Sequence, residues 1–76
     1  MIVLGTIITP AQRSAGIEVM HGEFRAGKVT QALRQAGVST KDGLVAEAAL
    51  RLIQHQQALG KVKRVGMGLY RGARVH

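Results

Sequence analysis

The sequence predicts a small α+β fold that is mainly helical and carries one short β-hairpin near its C-terminus. Three stretches before Gly60 space their apolar residues three and four apart, which is typical of helices that bury one face. After Gly60 the pattern becomes an alternation of basic and apolar residues on both sides of Gly66-Met67-Gly68, and a glycine-flanked turn of this length indicates a hairpin. The predicted order of elements is strand, helix, helix, helix, strand, strand.

The first two elements are an apolar arm and a capped helix. Residues 1–8 are apolar and suited to an extended arm or strand. Thr9-Pro10 predicts a helix start, because threonine caps free amide groups and proline is tolerated at the first helical position. This helix is expected from Pro10 to about Met20, where His21-Gly22 ends it.

Two further helices follow. The second is predicted from Ala26 to Ala36 and is closed by Gly37, and the third is predicted from about Lys41 to Leu59. Residues 38–40 form the turn between them, and Ser39 or Thr40 is placed to cap the third helix. The apolar arc of the third helix covers roughly 200°, so we expect this helix at the centre of the fold.

Length and cysteine content constrain the organisation. The chain has 76 residues and no cysteine, which predicts one domain over 1–76 with a thin core and neither disulfides nor thiolate metal sites. Within it we expect helices over 9–59, the hairpin over 60–72 and a frayed tail over 73–76. A thin core and an apolar start also favour a homodimer.

The positive charge is concentrated at the C-terminal end. Residues 1–60 carry six basic and four acidic groups, a balance of +2, whereas the last sixteen carry five basic groups and no acid. Such a segment indicates a polyanionic partner. The two aromatic residues are too few for the base-stacking surface of a single-strand-binding protein. The five basic residues are Lys61, Lys63, Arg64, Arg71 and Arg74.

The sequence offers little for catalysis, metal binding or membrane insertion. No histidine lies near Ser14 or Ser39, and the three histidines are far apart, so we expect no enzyme, no metal and no cofactor. The apolar start lacks the positive region of a secretory signal and is far shorter than the roughly 20 residues that span a bilayer. We therefore expect no membrane partner and a cytoplasmic location.

Two stretches carry a resemblance to a known family. Residues 29–40 join two helices through a glycine turn and polar caps, and residues 59–71 form a basic ribbon with a glycine-bearing tip and an aromatic on the return strand. Residues 24–71 resemble a winged helix-turn-helix DNA-binding domain, with residues 9–20 supplying its first helix. The resemblance implies three helices and a wing, binding to double-stranded DNA, and transcription regulation in a compact bacterial, phage or plasmid system.

The resemblance also implies roles for individual residues. The third helix would enter the major groove and supply sequence selectivity, while the basic wing would contact phosphates beside the N-terminal end of that helix. Tyr70 would anchor the wing in the core. The candidate DNA-binding residues are Arg25, Lys28, Ser39, Thr40, Lys41, Arg51, Gln54, Lys61, Lys63, Arg64 and Arg71.

A protein-interaction module is the alternative function. An inhibitor or docking domain of the phage or plasmid type would use Met67 at the hairpin tip or the apolar N-terminal arm, and its basic end would meet an acidic protein surface. Binding of double-stranded RNA by shape also stays open, whereas recognition of RNA loops lacks the aromatic residues it needs.

Overall fold

A computed structural model of the chain describes residues 1–72, and these form three helices and five short antiparallel strands. This confirms the predicted α+β class. The expected frayed tail, 73–76, lies outside the described residues. In chain order the elements are β1 (Ile2–Val3), β2 (Thr6–Ile7), α1 (Pro10–Glu18), β3 (Gly22–Arg25), α2 (Ala26–Gln35), α3 (Leu44–Ala58), β4 (Val62–Gly66) and β5 (Leu69–Gly72).

Helices α1 and α2 pack against α3, whose inner face is fully buried. Gly16 of α1 lies against two leucines, since a Cβ built on it would approach Leu52 Cδ1 to 2.8 Å and Leu33 Cδ2 to 3.0 Å. This glycine lowers the helix propensity of α1 but allows α1 to contact α2 and α3 closely. The largest fully buried side chains of the core are Val3, Ile8, Val29, Leu33, Leu52 and Ile53.

Residues 1–8 form a hairpin and not a single extended arm. β1 pairs with β2 through Ile2 opposite Ile7, and the Ile8 amide donates to the Met1 carbonyl at 2.7 Å. The chain reverses at Leu4-Gly5, where both residues have positive φ. Val3 and Ile8 are buried and so fasten this N-terminal hairpin (residues 1–8) to the core.

Helix α1 begins as predicted and ends earlier. Thr9 Oγ1 accepts from the Gln12 amide at 3.1 Å, and Gln12 Oε1 accepts from the Thr9 amide at 3.0 Å, which completes a reciprocal cap. The last helical residue is Glu18 and not Met20. Met20 lies beyond the helix and is buried in the core, just before the chain enters β3.

An additional strand, β3, interrupts the predicted run of helices over 9–59. It pairs with β5, so that the expected two-stranded hairpin is part of a three-stranded antiparallel sheet with the order β3-β5-β4. Four residues are too few for a clear alternating pattern, and β3 is stabilised by partners more than 40 positions away in the chain.

The connection between α2 and α3 is longer than predicted. Helix α3 begins at Leu44 and not at Lys41, because Asp42 and Gly43 have φ angles of 55° and 74°, which are incompatible with a continuous α-helix. A single 3-10 turn occupies Lys41–Gly43. Ser39 Oγ accepts from the Lys41 amide at 3.1 Å, whereas Thr40 makes no side-chain cap. The connection over residues 36–43 therefore exceeds the turn of about three or four residues of a tight helix-turn-helix.

The C-terminal hairpin (residues 62–72) forms where the sequence predicts it. Gly60 has a φ of 75° and ends α3, with the Lys61 amide donating to the Gln56 carbonyl at 2.9 Å. β4 and β5 are joined through Met67-Gly68, and the register shifts at Val65, between the pairs Arg64–Tyr70 and Gly66–Leu69.

Candidate nucleic-acid interface

The three-stranded sheet has an inner and an outer face. Phe24 and Tyr70 lie opposite each other on the inner face, with ring centroids 5.7 Å apart, and Phe24 is buried in the core. Since side chains alternate along a strand, the neighbours of these aromatics lie on the outer face. There Glu23, Arg71 and Lys63 form one row across the three strands, and all three are exposed.

Four basic residues are associated with this outer face, and we call them the outer-face cluster: Arg25, Lys61, Lys63 and Arg71. Lys63 and Arg71 are directly opposite each other on β4 and β5, and Arg25 lies on β3, two residues from Glu23 on the same face. Lys61, Lys63 and Arg71 also line one cleft of about 260 Å³. Like charges directly opposite on a sheet are destabilising, so this arrangement is favourable only with anions nearby.

Glu23 partly neutralises the cluster. Its Oε1 accepts from Arg71 Nη2 at 2.9 Å, and both side chains are more than half exposed. An ion pair this exposed contributes about 0–1 kcal/mol and is easily exchanged for another anion. Glu23 was not expected at this site, because its position depends on β3.

Arg64 does not share this face. In β4 it lies opposite Tyr70, on the inner-face row, at an exposed position. Its Nε donates to the Gly66 carbonyl at 3.1 Å, which braces the register shift at Val65. The structure therefore separates Arg64 from the other basic residues of the hairpin, although it is adjacent in sequence to Lys63.

Ser39, Thr40 and Lys41 are all exposed before α3. Ser39 and Lys41 line a small cleft of about 140 Å³ together with Leu4, Thr6, Asp42 and Leu44. Leu4 and Thr6 belong to the N-terminal hairpin. The other residues of this cleft belong to the connection before α3 and to the start of α3. The C-terminal hairpin, which was expected as a wing beside the start of the third helix, supplies none of the residues that line it. The reason is connectivity, since β4 follows the opposite end of α3.

The remaining candidates lie on helix surfaces. Arg51 and Gln54 are exposed on α3, and Arg51 Nε donates to Glu47 Oε1 at 3.1 Å, one turn earlier on the same helix. Contact between Arg51 and a base would require exchange of this ion pair, at a cost of about 0–1 kcal/mol. Lys28 is exposed in the first turn of α2, one turn from Arg25.

Other kinds of site have little support in the part of the chain that the structure describes. Within residues 1–72, no three histidine, aspartate or glutamate side chains come together as metal ligands would. Over the same range, every helix is too short or too polar to cross a membrane.

A comparison of the chain with protein-family models, with curated protein sequences and with solved structures gives no match.

Proposed function

We propose that the chain binds double-stranded DNA, with the outer-face cluster on the phosphate backbone. The observation that carries the proposal is the cluster itself, in which β3, β4, β5 and the residue after Gly60 supply four basic residues to one exposed surface with one acidic neighbour. Lysine and arginine on such a surface bind phosphates and release counterions, which supplies affinity independent of sequence. A basic hairpin after the third helix agrees with the winged helix-turn-helix resemblance, and we propose that type of domain.

Selectivity is assigned to the exposed face of α3. Arg51 and Gln54 are residue types that pair with guanine and adenine edges in the major groove, where each good bidentate contact discriminates by about 1–3 kcal/mol. Such a domain with a few reading side chains fits a transcription regulator, which is the role we propose.

Substitutions on the two surfaces should have different effects. Lys63→Ala removes a phosphate contact, so it should weaken binding to all duplexes alike, by about tenfold, or 1.4 kcal/mol. Arg51→Ala removes a base contact, so it should reduce the preference for a selected site over random duplex. Fluorescence anisotropy with a duplex selected from a random pool and with a scrambled duplex measures both effects.

Arg34→Ala is the matched control for this experiment. Arg34 is exposed in the last turn of α2, about 9 Å along the helix axis from Lys28, and the substitution changes the net charge as much as Lys63→Ala does. It should change affinity less than threefold. Equal effects of Lys63→Ala and Arg34→Ala on affinity would contradict phosphate contact by the outer-face cluster. Unchanged selectivity in Arg51→Ala would contradict base contact by α3.

Removal of the acidic neighbour should strengthen binding. Glu23→Gln frees Arg71 from its ion pair and removes a negative charge from the phosphate-contacting face, so we expect a threefold to tenfold gain in affinity for any duplex. Glu18→Gln, at the exposed end of α1, is the control with the same change of charge and should have a smaller effect. A loss of affinity in Glu23→Gln would place the DNA elsewhere on the protein.

A protein-interaction module is the second candidate, and Met67 favours it. Met67 is 89% exposed at the tip of the C-terminal hairpin, beside basic strands that suit an acidic partner. Salt-sensitive binding to random duplex is expected of the first function and not of the second.

A further inference from the structure

The N-terminal hairpin presents apolar side chains on its outer side. Ile2 and Ile7 are directly opposite each other and are 64% and 69% exposed, and Leu4 at the turn is 58% exposed. Met1 is exposed but lies opposite the buried Ile8, on the side of the hairpin that faces the core. We call Ile2, Leu4 and Ile7 the N-terminal apolar face, which amounts to about 300 Å² of apolar surface and is comparable to the largest patch of a typical monomer.

Local structure does not explain these residues. Leu4 has a φ of 48°, a left-handed conformation that is unfavourable for leucine and that glycine or asparagine adopts more readily. The leucine at this turn is therefore not stabilised by its backbone conformation, and because it is exposed it gains little hydrophobic stabilisation from the core. Burial of Leu4 against another surface would compensate for the unfavourable conformation and for the exposure.

We propose that the N-terminal apolar face binds the same face of a second copy of the chain, forming a symmetric dimer. Charge favours this occupant. The chain has a formal net charge of +7, so two copies repel each other over most surfaces, but residues 1–8 contain no ionisable side chain. Their one charge is the Met1 ammonium, which donates to the Ile8 carbonyl at 3.4 Å at the end of the hairpin away from Leu4. An acidic partner would gain no ion pair from these side chains.

Backbone geometry also suits a second copy. β1 and β2 form a two-stranded sheet, so within the described residues each strand has one edge without a strand partner. An unpaired edge is a template for another strand, and an antiparallel pairing of identical edges is compatible with twofold symmetry. The apolar side chains beside that edge would be buried in the same step.

The size of the face predicts a weak dimer. Stable interfaces bury about 800 Å² on each partner, which is more than these three side chains provide. We therefore expect a dissociation constant of about 0.1 mM. Salt should strengthen the dimer severalfold between about 0.1 and 0.5 M, because it screens the repulsion between two positive chains. This dependence has the opposite sign to that expected for DNA binding.

Sedimentation equilibrium of the full chain, from about 10 µM to 1 mM and at both salt concentrations, tests the proposal. The double variant Ile2→Thr/Ile7→Thr keeps β-branched residues in the strands and should weaken the dimer at least tenfold. Met67→Thr removes a more exposed apolar side chain outside the face and should leave the dimer unchanged. Circular dichroism of each variant verifies that the fold is retained.

A wild-type chain that stays monomeric at 1 mM and 0.5 M salt would overturn the proposal, as would a double variant that dimerises like the wild type. Loss of the dimer in Met67→Thr would place the interface on the C-terminal hairpin instead. Because no DNA is present in the experiment, these outcomes are independent of the proposed function.

Discussion

Raising the salt concentration from about 50 to about 200 mM should weaken binding to a DNA duplex roughly 300- to 1,000-fold. The outer-face cluster, together with Lys28 one turn from Arg25, provides about five phosphate contacts, and each releases close to one counterion from the duplex. The slope of log affinity against log salt should therefore be about −4 to −5. Anisotropy titrations with a random-sequence duplex at four salt concentrations measure this slope.

The control is a single strand of the same length. We expect weaker binding and a shallower slope, because Phe24 is buried and Tyr70 is partly buried against it, so neither ring is free to stack on bases. A slope near zero with duplex would contradict DNA binding and favour the protein-interaction function. Equal affinity for both forms would show that the chain recognises phosphate charge without regard to the duplex.

Gly72→Ala should unfold the domain almost completely. A Cβ at Gly72 would collide with the carbonyl group of Met20, whose carbon would be 2.6 Å away, and would lie 3.2 Å from the His21 Cα. All of these are backbone atoms. Gly72 also belongs to the central strand, with Gly22 and Val62 as neighbours on either side, so the backbone cannot withdraw. The expected loss of several kcal/mol is comparable to the whole stability of a chain this short, about 4–11 kcal/mol. Thermal melting followed by circular dichroism measures it.

Gly66→Ala is the matched control in the same sheet. A Cβ at Gly66 would lie 3.6 Å from the nearest atom, Leu69 Cβ, which is ordinary contact, and its φ is not in the left-handed region. We expect its free energy of unfolding to change by less than about 1 kcal/mol. A Gly72→Ala protein that melts like the wild type would show that Met20 does not lie over the sheet at this point.

Local chemistry made several elements predictable. The Thr9-Pro10 start of α1, the end of α3 at Gly60 and the turn at Met67-Gly68 each depend on residues within one or two turns of the position in question. Capping and backbone conformation act over that range, so these boundaries can be read directly from the chain.

Long-range pairing made other features unpredictable. β3 is a strand because β5 pairs with it, and Arg25, which directly precedes the predicted second helix, consequently lies on the outer face of the sheet. Helix α3 starts at Leu44, three residues later than predicted, because Asp42 has a left-handed conformation that its residue type permits but does not require. By contrast, the ion pair of Arg51 with Glu47 could have been predicted from the sequence, because the two residues are four positions apart on one helix.

The sequence by itself determined the number of helices, the position of the C-terminal hairpin and the concentration of positive charge after Gly60, since all three depend on neighbouring residues or on composition. Only the tertiary structure decided which basic residues share a surface. It placed Arg25 on the same sheet face as Lys63 and Arg71, and it separated Arg64 from them. The physical reason is that the strand register brings Phe24 and Tyr70 together on the inner face, and these two residues are 46 positions apart in the chain.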